Sequence, residues 1–246
     1  VVGYNGVENV RIAPGDIGGG GATDLNGLSD VSVDLTNDSA YFINIPAGLS
    51  GATGNLVIGE GAGNSIVGSD KNTILGFDAF KTSSDSGRGE NVVIGYEAVS
   101  TATNQVQYVV AIGVQAAQNN ANAYQSVSIG WQATKDASTF SGVFVGSQSG
   151  RGASASYATA IGGESGMFMQ GSEGIAIGRL AGRNLTGDYS IAIGGSAARS
   201  STAAGHVSIG YQAGYSNTSG LQNTNLGYQA GYSNTTQPDR TIIGYQ

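Results

Sequence analysis

His206 is the only histidine in 246 residues, and there is no cysteine. Acid–base, thiolate and zinc chemistry lean on those two residue types, so they have almost nowhere to sit. His206 opens the phrase HVSIGYQA, in a slot that other phrases fill with Asn, Ser or Arg, and it reads as an exposed turn residue without a catalytic part. The glycine-rich stretches GEGAGNS (59–65) and GGESG (162–166) lack the lysine of a phosphate loop and complete no GxGxxG. GSQSG (146–150) has Gln148 where a nucleophile elbow needs serine. A glycosidase needs two carboxylates facing one sugar, and the seventeen acidic residues form no such pair in neighbouring phrases. The chain therefore reads as no enzyme, with no cofactor and no metal.

The remaining binding chemistry is aromatic. Tyr96, Trp131, Tyr211, Tyr228 and Tyr245 recur at one place in a repeated phrase, and Tyr215 and Tyr232 at a second. Rows of exposed aromatics beside Asn and Gln suit stacking on carbohydrate, and rings stacked on one another also stiffen a rod. These seven residues are the candidate contacts to a host-cell surface glycan or protein.

The rows exist because the chain repeats itself. VSIGYQAGYSN (207–217) returns as TNLGYQAGYSN (224–234) and begins again as TIIGYQ at 241–246. Aligned on the glycine after the aliphatic residue, twelve phrases appear, anchored at Gly59, Gly76, Gly95, Gly113, Gly130, Gly146, Gly162, Gly178, Gly194, Gly210, Gly227 and Gly244. Intervals of 16 to 19 residues match one coil of a β-solenoid rather than a helical repeat. Stacked at about 4.8 Å per rung, the coils make a rod of roughly 50 Å.

Counting from the anchor as zero, position −1 holds Ile58, Leu75, Ile94, Ile112, Ile129, Val145, Ile161, Ile177, Ile193, Ile209, Leu226 and Ile243, all branched aliphatics. Position −3 holds Leu, Val, Ile or Thr, and position −2 holds mostly small or apolar residues. Position +1 takes Glu60, Arg179 and Trp131 alike and reads as exposed, while +3 is Ala or Ser in every complete phrase and reads as packed inward. The rest is Asn, Ser, Thr, Gly and Gln, which is turn chemistry.

In a strand, −1 and −3 share one face and −2 the other. A coil this short cannot enclose both faces, so one set must form an apolar stripe along the rod. Such a stripe exceeds what soluble monomers leave uncovered, and self-association relieves it. The trimer-seam candidates are Ile58, Ile94, Ile112, Ile129, Ile161, Ile177, Ile193, Ile209 and Ile243. The competing arrangement is a wider single-chain solenoid with every aliphatic inside.

Composition agrees. Glycine supplies 42 residues, only 11% are charged, and the net charge is −7. An acidic chain with ten Lys and Arg carries no electrostatic footprint for nucleic acid or anionic lipid. No apolar run approaches the ~20 residues of a membrane span.

Phrases such as NLVIGEGA, NVVIGYEA, GIAIGRLA, SIAIGGSA and HVSIGYQA resemble the Asn-Ser-Val-Ala-Ile-Gly repeats of trimeric autotransporter adhesin heads and of bacteriophage tail fibres, marine ones notably. The resemblance covers about 55–246. It implies a left-handed parallel β-roll assembled as an elongated homotrimer. It also implies a structural and adhesive fibre on a virion, contacting other tail proteins and the host, with a bacterial cell-surface adhesin head as the alternative. LNGLSDVSVDLTNDSAYFI (25–43), with its Leu-Ser-Asp-Val opening, resembles the segment that precedes such repeats in phage fibres. Residues 1–54 lack the repeat; GDIGGGGATD (15–24) reads as a flexible joint and YFINIPAGLSGATG (41–54) as a strand leading into the first coil. The last phrase stops before its Ala, so Gln246 is expected at or near a junction with a further domain.

Overall fold

The computed structural model describes residues 53–64, 66, 68–83, 89–102 and 106–245, together with four strand segments nearer the N-terminus. The glycine-rich stretch 15–24 lies outside the described residues. In chain order the strands are β1 (Val2–Tyr4), β2 (Asn9–Arg11), β3 (Val31–Asp34), β4 (Ser39–Phe42), β5 (Leu56–Ile58), β6 (Thr73–Leu75), β7 (Thr82–Ser83), β8 (Val92–Ile94), β9 (Thr101–Ala102), β10 (Val110–Ile112), β11 (Val127–Ile129), β12 (Val143–Val145), β13 (Thr159–Ile161), β14 (Ile175–Ile177), β15 (Ile191–Ile193), β16 (Val207–Ile209), β17 (Thr224–Leu226) and β18 (Thr241–Ile243). No helix occurs among the described residues.

The protein is a parallel β-solenoid. Each of the twelve phrases contributes one three-residue strand, and these strands pair in parallel with their columns in register, as Ile175 pairs Ile191, Ala176 pairs Ala192 and Ile177 pairs Ile193. At the N-terminal edge β4 adds in parallel to β5, and β3 adds antiparallel to β4. Of the stretch 41–54 expected to lead into the first coil, only Tyr41 and Phe42 fall in the strand Ser39–Phe42, and 43–52 lie outside the described residues. Val2–Tyr4 pairs antiparallel with Asn9–Arg11.

The strand stops after three residues because the anchor glycine turns the chain. All twelve anchors have φ between +123° and +138°, a region essentially reserved for glycine. The amide at +3 then bonds the anchor carbonyl, as Ala197 N–H donates to Gly194 O at 3.2 Å, around a left-handed residue at +2. This resembles a type II turn. The residue at +4 is left-handed again, including the β-branched Val99 and Thr134 at φ +51° and +48°. Such residues resist that conformation; its cost is offset by rung-to-rung bonds, as from Val99 N–H to Ala116 O at 2.9 Å.

Among the described residues the far side of each coil carries little strand pairing. Only Thr82–Ser83 with Thr101–Ala102, and isolated bridges at Gln107, Tyr124, Phe140 and Ser156, pair there. Left-handed residues at +2 and +4 deny the chain the extended conformation a strand needs.

The interior is narrow. Position −2 is buried from Val57 through Asn225, and the Ala/Ser column at +3 is 0–1% exposed in all eleven complete phrases. One bulky intruder, Phe144, fits because the same coil has glycine at 142 and 150, where a Cβ would run into its ring. With −2 inside, −1 and −3 face outward, so the wider solenoid with every aliphatic inside is not what forms.

A Cβ on Gly194 would lie 2.5 Å from Gly210 O, on backbone that cannot yield without parting the rungs. A Cβ on Gly163 would meet nothing within 4 Å. Gly194→Ala is expected to destabilise by at least about 3 kcal/mol, from forbidden φ and the clash together, and Gly163→Ala by less than about 0.5 kcal/mol. Thermal unfolding followed by circular dichroism compares the two, and equal shifts would mean that the anchor glycine is not a structural requirement.

Candidate functional site

The outward strand face repeats in register along the twelve coils. None of the described residues at −1 or −3 is buried. Of the seam candidates, Ile161 is 40% exposed and Ile58, Ile94, Ile112, Ile129, Ile177, Ile193, Ile209 and Ile243 are half-buried or exposed in the single chain; Leu226, in the same column, is 43% exposed. The sheet register aligns them into two parallel apolar rows. Because the −2 side chains fill the interior, the described coils do not themselves take these rows inside.

Aromatics border this face on both sides. After the anchor, Tyr96, Trp131, Tyr211 and Tyr228 are each about half exposed and Tyr245 more so. Most stack along the rod: Tyr211 on Tyr228 and Tyr228 on Tyr245, each at 5.3 Å between centroids, and Phe77 on Tyr96 at 5.6 Å. Tyr215 and Tyr232 form their own stack at 5.1 Å. Before the strand runs a row that phrase alignment does not show, Tyr108–Tyr124–Phe140–Tyr157, with centroids 5.0 to 6.0 Å apart. Tyr108 and Tyr157 stand at position −5 and Tyr124 and Phe140 at −6, so no single column collects them.

Two polar ladders also escaped the sequence reading. In the slot before the strand, Asn72 donates its backbone N–H and Nδ2 to Asn55 Oδ1 at 2.8 and 2.9 Å. Asn91 does the same to Asn72 Oδ1 at 3.1 and 2.9 Å, and Val109 N–H donates to Asn91 Oδ1 at 3.0 Å. All three asparagines are buried, and the ladder satisfies backbone donors that a narrow coil cannot reach otherwise. At +2, Gln115 donates to Glu97 at 2.9 Å, Gln132 to Gln115 at 2.8 Å and Gln148 to Gln132 at 3.1 Å. Hydrogen bonds from Gln115 first, then from Tyr96 and Gln118, hold the Glu97 carboxyl below its usual range against the opposing effect of burial.

His206 corrects the sequence reading. It is fully buried, not an exposed turn residue, because its slot is the inward one that the asparagines occupy. Its Nδ1 lies 2.9 Å from Ala203 O, which makes that nitrogen the protonated one, with Ser190 Oγ at 3.1 Å. Nε2 has no hydrogen-bond partner. Burial pushes its pKa below the usual histidine value, opposed by the bond to Ala203. This is a neutral structural imidazole, and among the described residues no group of acids and histidine is placed to hold a metal ion.

A buried neutral histidine ties stability to pH. The unfolded chain binds a proton below about pH 6.5 while the folded chain resists it. Stability is therefore complete above that pH and falls as pH drops toward the depressed folded pKa. Melting temperature should decline between pH 7.5 and 5.5 in the native chain, and the decline should shrink in His206→Asn, which places an Asn-type amide in the slot as Asn223 does one coil later. Identical profiles would show that His206 does not carry the dependence.

No family model, curated protein or solved structure matches this chain.

Proposed function

We propose that this chain is a shaft and host-recognition segment of a trimeric fibre, of the kind carried by bacteriophage tails. The observation that carries the reading is the pair of exposed aliphatic rows on the strand face. Covering each such side chain contributes roughly 1.5–3 kcal/mol, so a dozen rungs supply a driving force that an isolated rod leaves unused. Three rolls around a common axis cover the rows with one repeated contact per rung. The aromatic borders and polar ladders then run along the assembled shaft, beside whatever the fibre touches. The head of a bacterial trimeric adhesin is the second reading, favoured by the same phrases. Antibody labelling of virions and of bacterial surfaces in the electron microscope separates the two.

Analytical ultracentrifugation is expected to give about three times the 24.6 kDa chain mass with an elongated frictional ratio. A compact monomer would sink the proposal. Ile177→Asp or Ile193→Asp should prevent assembly, because each carboxylate enters a dry contact unpaired. Arg179→Ala, two residues from Ile177 in the +1 column, should leave the assembled mass unchanged and cost under about 0.5 kcal/mol.

A further inference from the structure

Five of the ten Lys and Arg stand in a single column, +5: Lys81, Lys135, Arg151, Arg183 and Arg199. Four of them fall within five successive coils, interrupted only by Met167, and Tyr215 and Tyr232 continue the column for two coils more. The rungs align these residues physically. Gly152 N–H donates to Lys135 O and Phe168 N–H to Arg151 O, each at 2.9 Å, and Asn184 N–H donates to Arg199 O at 2.9 Å. Arg199 Nη1 donates to Tyr215 Oη at 2.7 Å, with its guanidinium 5.7 Å from the Tyr215 ring centre. Lys135, Arg151, Arg183 and Arg199 are all half-buried, their stems along the rod.

The column lies beyond the anchor turn, away from the strand face. Its charge is only partly answered. Lys81 pairs with Asp78 at 2.7 Å, Glu164 sits 3.8 Å from Arg183, Asp136 follows Lys135 in the chain, the Glu97 carboxylate is near enough to attract Lys135, and Lys135 Nζ itself bonds the neutral Gln115 at 3.1 Å. Glu173 and Asp188, the other acids of these coils, stand at −5 and −6, on the flank of the strand remote from the anchor turn. Although the chain carries a net charge of −7, charges beyond about 8 Å are screened at physiological salt. A ligand lying on the column therefore meets cations.

We infer that this column is a binding track for an acidic polysaccharide, a chain of carboxylated or sulfated sugars lying along the rod. The track offers cationic donors along most of its length, ammonium and guanidinium groups, and at its other end phenol hydroxyls, of which Tyr215 Oη already accepts from Arg199. Its step of about 4.8 Å per rung is comparable with one sugar ring of an extended polysaccharide. The geometry disfavours nucleic acid. Tyr215 and Tyr232 lie face to face at 17°, so they present edges and hydroxyls rather than the open faces on which nucleobases stack. The inference rests on the adhesive part of the fibre reading and not on the trimer.

The test measures binding of the full chain to immobilised polygalacturonate, with dextran and a poly-dT oligonucleotide for comparison, at low and physiological salt. The native chain should bind polygalacturonate, more weakly as salt rises, and bind dextran and poly-dT less. The double variant Lys135→Gln/Arg151→Gln should lose about tenfold in affinity, as expected when charge-assisted contacts go. Arg179→Gln, an equal change per residue outside the column, should stay within about twofold. The inference is overturned by no binding in the native chain, by equal loss in Arg179→Gln, or by poly-dT or dextran binding as tightly. Sedimentation on the same samples separates the two readings: a monomer that binds overturns the trimer alone, and a trimer that does not bind overturns the track alone.

Discussion

The close approach of one anchor glycine to the next governs this structure. Each anchor takes a φ near +130° and brings its Cα against the carbonyl of the following anchor. No side chain fits there. The turn that results ends every strand after three residues and sends +3 into the interior, where only Ala and Ser are found. A thin coil follows, and from the thin coil follows the outward placement of the large aliphatics. One backbone conformation, repeated twelve times, thus decides both what is inside and what is left for a partner.

Hydrogen bonding makes the repetition affordable. Left-handed residues at −5, +2 and +4 each cost conformational energy when they are not glycine, and residues such as Val99, Thr134 and Tyr157 accept that cost. In return their amides bond the adjoining rung, as Tyr157 N–H does to Phe140 O at 2.9 Å. The Asn and Gln ladders extend the same logic to side chains, spanning rungs that the backbone alone leaves unsatisfied. The asparagine ladder ends at Val109; in later coils His206 and Asn225 are each buried, and each keeps one polar atom without a partner.

Stacking also converts sequence position into surface. Residues sixteen or so apart become neighbours about 4.8 Å apart, so a sparse charge becomes a row. Lys135, Arg151, Arg183 and Arg199 are far apart in an acidic chain, yet they share one edge of five coils. Whole-chain charge is a poor guide to such a molecule, because screening confines each ligand to its local column.

Periodicity, and with it the parallel solenoid, was legible in the sequence because glycine tolerates no substitute at the anchor and the branched aliphatics beside it recur at a fixed offset. The inward Ala/Ser column and the exposed +1 column were legible for the same reason: what a position refuses reveals its surroundings. Residue types alone did not reveal which side a polar slot faces. Asn, Ser and His serve equally in a solvated turn and in a buried ladder, so His206 read as exposed until the coil closed around it. Nor did columns reveal the row from Tyr108 to Tyr157, whose rings meet although they are drawn from two adjacent positions, −5 and −6. Local sterics set the repeat, and each residue reports them individually. Burial of polar groups and the gathering of charge depend on how neighbouring coils stack, and only the tertiary structure decides that.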